Sequence, residues 1–232
     1  MAAVEAVSPP KPGTGENHWT VYFDGGSRGN PGISGAGAVL YVNGEEHLAV
    51  AHAMVDGTTN NQAEYLGAAL AVFLIELRLR AAHSGDAQTS AFPTSLTVVG
   101  DSKLVVQQIS GKWQVRAKRL MVCAAQVRAL VRRVERKLEA AMCPGTPDPI
   151  NPHAEPPRTL VPPKVQWTHV RRAHNKRADA LSNNAMDAHS GTWDGNFETA
   201  PSPFSRSSAL GEIAQGYLGT VKSGRWRAAG QL

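Results

Sequence analysis

Cysteine, acidic charge and long apolar runs are the scarce features of this chain. Only Cys123 and Cys143 are present in 232 residues. Two thiols make neither a disulfide framework nor a thiolate metal site, and a reducing interior compartment fits them. No apolar run approaches the roughly 20 residues that a membrane span requires, so no membrane contact is expected. The start, from Met1 to Val7, has no basic stretch ahead of an apolar one, and it carries Glu5 without an early arginine. Neither a secretory signal nor a mitochondrial presequence is expected from it. The expected location is intracellular, in cytoplasm or nucleus, with an organelle left open. Acids are outnumbered, with 19 Asp and Glu against 24 Lys and Arg and a formal charge of +5. That balance suits a polyanionic partner, although charge alone does not separate nucleic acid from an anionic membrane.

What is present suffices for one sizeable domain with extensions, at 42% hydrophobic residues and without internal repeats. Residues 1–17 hold Ser8-Pro9-Pro10 and Pro12-Gly13 and read as a flexible tail. A strand is expected at 18–24, with Trp19, Val21 and Phe23 on one face and Thr20 and Tyr22 on the other. The glycine-rich stretch Gly25 to Gly32 reads as a turn. Strands follow at 35–42 and 46–54, with Asn43-Gly44 as the hairpin signal. Leu66, Leu70, Phe73, Leu74 and Leu77 recur at helical spacing, which predicts a helix over 62–80. A polar loop at 82–94 leads to a short buried strand at 96–99, a short helix at 102–109 and a long helix at 116–141. The long helix has Leu120, Ala124, Val127, Val131, Val134 and Leu138 as its apolar stripe. The proline-rich stretch 143–163 is expected to be an irregular loop. A strand at 165–170 and a helix at 175–188 complete the domain, expected to span 18–188. Residues 189–232 are rich in Ser, Gly and Thr and are expected to be a disordered tail. Helix-separated later strands imply parallel pairing, hence a mixed α/β sheet.

Four short motifs each put one carboxylate at the edge of an apolar run: Phe23-Asp24-Gly25-Gly26, Asn61-Gln62-Ala63-Glu64, Val99-Gly100-Asp101-Ser102 and Arg177-Ala178-Asp179. Asp24 and Asp101 end strands, while Glu64 and Asp179 lie in the first turns of helices. Each residue has a purely structural reading. Asp24-Gly25 can start a turn, and Glu64 can close a capping box. Asp101-Ser102 can cap the next helix, and Asp179 can answer a helix dipole. If the fold gathers all four, their repulsion calls for cations. Hard oxygen ligands suit Mg²⁺ or Mn²⁺, and a paired-metal site cuts phosphodiesters.

Taken in order and spacing, these motifs, with the turn Asp24 to Gly32, Thr58-Thr59-Asn60 and Asn175-Lys176, resemble ribonuclease HI over about residues 18–188. The resemblance implies the RNase H-like fold, a five-stranded mixed sheet in order 3-2-1-4-5 flanked by helices. It implies a monomeric endoribonuclease that hydrolyses the RNA strand of RNA–DNA hybrids. Two Mg²⁺ ions, or Mn²⁺, would be held by Asp24, Glu64, Asp101 and Asp179, with Asp24 between them, leaving a 5′-phosphate and a 3′-hydroxyl. It also implies that Asn30 and Asn60 contact the minor groove and that Thr59 holds a DNA-strand phosphate, with the Gly25 turn allowing close backbone approach. The chain departs from bacterial and retroviral members in two ways. The loop before the last Asp is short, so that His174, a candidate proton carrier, lies five residues before Asp179. A basic handle helix is absent, as in the compact branch of the family.

Between Lys103 and Lys137, ten Lys and Arg stand against the single acid Glu135. Lys112 and Arg116, near a helix break, are the candidates for phosphate contact. Trp113 is expected to pack at the helix junction. Arg128, Arg132 and Arg136 recur every fourth residue and read equally as a solvated face or a nucleic-acid track. Two other functions remain open: a catalytically silent module that binds hybrids, against which the intact acid set argues, and a strand-transfer enzyme of the same superfamily. The latter uses a different acid spacing and would leave Asn30, Thr59 and Asn60 without a purpose.

Overall fold

Trp19, Val21 and Phe23 are completely buried while Thr20 and Tyr22 between them are half-buried, the alternation expected of a central strand. A computed structural model of the chain describes residues 17–83, 92–143, 161–189, 198–200 and 218–221. Strands β1 (His18–Gly29), β2 (Gly32–Val42) and β3 (Glu45–Ala53) form an antiparallel meander. Asn43 and Gly44, both at positive φ, turn the second hairpin. Strand β4 (Ser95–Gly100) pairs parallel with β1, and β5 (Val165–His169) parallel with β4. The order 3-2-1-4-5 is therefore present, in the RNase H-like arrangement expected.

Two expectations need correction. The glycine-rich stretch is mostly strand: β1 runs through Gly29 and pairs residue by residue with β2, from Asp24 opposite Gly37 to Gly29 opposite Gly32. Backbone pairing sustains it, helped by Ser34 Oγ donating to Ser27 Oγ at 2.9 Å, so the absence of an apolar pattern hid it. Beyond His189 the sheet also continues. β7 (Leu218–Val221) runs antiparallel to β3, and β6 (Glu198–Ala200) antiparallel to β7. An edge strand offers free N–H and C=O groups to any extended segment, and such pairing needs no side-chain signature. The rest of 189–232, the tail before Asn17 and most of the proline-rich stretch lie outside the described residues.

Helices cover both faces of the sheet. The α1 helix (Asn60–His83), α2 (Lys103–Ile109) and α3 (Lys118–Met142) share one core with Trp19, Val21, Phe23, Ala38 and Leu40. On the opposite face, α4 (Lys176–His189) sets Leu181 and Ala185 against Val39, Ala49 and Ala51. Glu76 of α1, only 3% exposed, accepts hydrogen bonds from Arg80, Arg133 and Lys137 and so ties α1 to α3. Among the described residues no helix is long and apolar enough to cross a membrane.

Candidate active site

Parallel pairing of β1 with β4 puts Phe23 opposite Gly100, so the next residues, Asp24 within β1 and Asp101 just past the end of β4, emerge side by side. Helix α1 lies directly on the β1 backbone. A Cβ at Gly67 would stand 2.4 Å from the Asp24 carbonyl oxygen, and one at Gly25 would stand 2.1 Å from the Ala63 carbonyl carbon. That closeness brings Glu64 to the same point. The helix start is capped by other residues: Gln62 Oε1 accepts from the Thr59 amide at 3.1 Å and from its hydroxyl at 2.8 Å. Glu64, one turn further on, is thereby free of the capping role that its motif suggested. Ser102 precedes α2 without a side-chain cap bond.

Carboxylate oxygens of Asp24, Glu64 and Asp101 lie within 4.8 Å of one another. Asp179, in the first turn of α4, lines the same cleft of about 340 Å³ but stands outside that trio. Each acid has its own donor. Ser182 Oγ donates to Asp24, the Gly25 amide to Glu64, Asn175 Nδ2 to Asp101 Oδ1 at 3.0 Å, and Arg172 to Asp179. Asn175 also donates to the Phe23 carbonyl at 2.8 Å, which fastens the start of α4 to β1.

Electrostatics are those of crowded, buried acids. Burial pushes Asp24 up to about 6; the Ser182 hydrogen bond opposes this, and the charges of Asp101 and Asp179 add to it. Burial, then Asp24 and Asp101, hold Glu64 well above the ordinary carboxylate range. Glu64 Oε2 is buried without any hydrogen-bond partner. A buried acceptor without a donor is costly, and grouped carboxylates disfavour their own ionisation. Both penalties vanish if a hard divalent cation binds, so the residues fit Mg²⁺ or Mn²⁺.

Of the other residues singled out in the sequence, Gly25 and Asn60 line the cleft. Asn30, at the exposed hairpin tip, accepts the Asn60 amide at 3.1 Å and ties the tip to the cleft rim. Thr59 spends its hydroxyl on the cap. His174 is exposed in the 3₁₀ turn Arg172–His174 and does not line the cleft, whereas His169 and Arg172 do. Lys112 and Arg116 are exposed between α2 and α3, away from the cleft lining. Trp113 does not pack at the junction: it is 46% exposed, with Lys103 Nζ 5.9 Å from its ring centre. The evenly spaced arginines divide. Arg128 donates to the Gln108 carbonyl at 2.5 Å, while Arg132 and Arg136 are exposed.

Sequence reasoning missed Ser182, Asn175 and Arg172 as parts of the site. Asn175 stood inside a quoted motif one turn before Asp179, and that spacing could have flagged it. Ser182, three residues after Asp179, carried only the same faint signal.

A model of the RNase H family matches residues 16–145. The bifunctional protein Rv2228c of Mycobacterium tuberculosis is 32% identical over 166 residues, which cover 71% of this chain and 34% of that protein. The chain thus spans about a third of the length of the mycobacterial relatives it matches. Ribonuclease HI of Halobacterium salinarum is 32% identical over 186 residues, covering 79% of this chain and 70% of that one. Among solved structures, the N-terminal RNase H domain of Rv2228c, fused with maltose-binding protein, is similar with a TM-score of 0.51 and 29% identity. It covers 75% of this chain and 97% of that one.

Proposed function

The chain belongs to the RNase H family, and on that premise we propose that it is an endoribonuclease hydrolysing the RNA strand of RNA–DNA hybrids. The observation that carries this reading is the meeting of Asp24, Glu64 and Asp101 from three elements around a buried, partnerless Glu64 oxygen. Asp24, Glu64, Asp101 and Asp179 would hold two divalent cations, Mg²⁺ or Mn²⁺. Bound there, these supply activation of water for attack on the phosphodiester and relief of charge on the departing 3′ oxygen, leaving a 5′-phosphate and a 3′-hydroxyl.

The chain's own residues do the rest. Asp24, whose carboxylate lies near those of Glu64 and Asp101 and accepts from Ser182, would be central to holding the cations. Arg172 sets a positive charge at the cleft mouth, where a phosphate would enter. Asn60 in the cleft and Asn30 bonded to it are the side chains for the minor groove, where a 2′-hydroxyl distinguishes RNA from DNA. Thr59, by capping α1, presents the helix start to a DNA-strand phosphate. Lys112 and Arg116 supply further phosphate contacts. His169, already in the cleft, is better placed than His174 to exchange a proton with the leaving oxygen.

Cleavage assays on hybrid, RNA duplex and DNA duplex, each with Mg²⁺, Mn²⁺ or EDTA, test the reading. Cutting confined to the RNA of the hybrid and lost in EDTA is expected. Binding of hybrid without any cutting would instead identify a catalytically silent module, and cutting that survives chelation would dispose of the metal site.

A further inference from the structure

Asp24 faces a hydroxyl that the family-type acid motifs did not point to, and a specific stack of small residues brings it there. In register, Asp24 lies opposite Gly37 of β2. A Cβ at Gly37 would stand 2.8 Å from the Ser182 amide nitrogen, and one at Gly35 would stand 2.5 Å from the Ser182 carbonyl oxygen. Only bare glycines let α4 settle this deeply on β2, and the settling presses Ser182, 1% exposed, against Asp24. The serine oxygen is in reach of Asp24 Oδ2 and of the Asp179 carbonyl at 2.9 Å. A hydroxyl has one proton to give. The charged acceptor wins it, and Asn183 Nδ2 already serves the Asp179 carbonyl at 2.8 Å.

We propose that Ser182 is a positioning residue that presets the Asp24 carboxylate for divalent cations, an inference that rests on the metal-dependent reading above. A carboxylate offers about four lone-pair directions. One bond from Ser182 restrains the Asp24 carboxylate and leaves its other lone pairs uncommitted, with Glu64 and Asp101 oxygens within 4.8 Å. Being neutral, the hydroxyl does this without spending the negative charge that draws the cation, unlike the Arg172 guanidinium on Asp179.

The test is calorimetric binding of Mn²⁺ to the full chain without substrate, for wild type, Ser182→Ala and Ser182→Cys. The thiol fills the same space but donates weakly, so it serves if alanine disturbs the fold. Both variants should bind Mn²⁺ about tenfold more weakly or worse, and hybrid cleavage should need correspondingly more metal while the KM for hybrid at saturating metal stays put. Wild-type affinity in a folded variant overturns the proposal and leaves the function untouched. A wild-type chain that binds no Mn²⁺ overturns the metal reading itself, and Asp24→Asn, which removes the ligand and keeps the serine, marks that outcome separately.

Discussion

At the scale of single residues, the acids at the cleft trade stability for reactivity. Asp24 has a folded value near 6 against an ordinary 3.8, so between those limits the folded chain holds a proton that the unfolded chain has released. Its contribution is present below the ordinary value and is lost as pH rises through about 6. Asp24→Asn should therefore abolish cleavage and leave the metal-free chain at pH 7 as stable as wild type or more so, by something on the order of 2 kcal/mol. Melts in EDTA from pH 4 to 8 check this; a variant less stable than wild type at pH 7 would count against a strained site. Asp24, Glu64 and Asp101 were legible because each stands at the edge of an apolar run, a pattern that survives in one dimension. Ser182 and Asn175 were not, because their roles depend on how closely α4 approaches β1 and β2, and that distance is set by Gly35 and Gly37 on a different element.

At the scale of elements, Glu76 decides how α1 meets α3. Burial alone would raise its value from 4.5, but hydrogen bonds from Lys137, Arg133 and Arg80 outweigh it and hold the carboxyl at about 2. Here the folded value is depressed, so the stabilisation is present at neutral pH and is lost as pH falls through about 2. Glu76→Gln should cost about 2 kcal/mol at pH 7 and nearly nothing at pH 2, which chemical denaturation at the two pH values measures. The link between α2 and α3 has a separate role. Lys112→Ala with Arg116→Ala should flatten the salt dependence of hybrid binding by up to about one unit per lost phosphate contact. An unchanged slope would assign both to ordinary solvated surface. Helices were legible from their apolar spacing, as with Leu66 to Leu77. The partners of the α3 cations were not, because Glu76 lies far away in sequence and nothing local pairs it with Arg133 or Lys137.

At the scale of the whole molecule, the sheet has a supplemented edge. Residues 18–188 carry all four acids and both cores, so this fragment should fold and cleave hybrid. It should also leave β3 without its β7 neighbour and self-associate more readily than the full chain. Light scattering of the two at equal concentration decides the second point, and equal monodispersity would make the C-terminal pairing incidental. Five strands and four helices were readable from pattern, because burying one face of each forces a period. The added strands were unreadable, because an edge accepts backbone without asking for a side-chain period.

The distance along the chain between the acids has a temporal meaning. Asp24 leaves the ribosome well before Asp179, while Asn175 and Ser182, which donate to Asp101 and Asp24, arrive with the residues around α4. A nascent chain therefore carries most of its core before its acid cluster and the donors to that cluster are complete. A chain ending before Lys176 should accordingly show helical circular dichroism from α1 to α3 and leave hybrids intact. The four acids and their donors stand together only once α4 has been made.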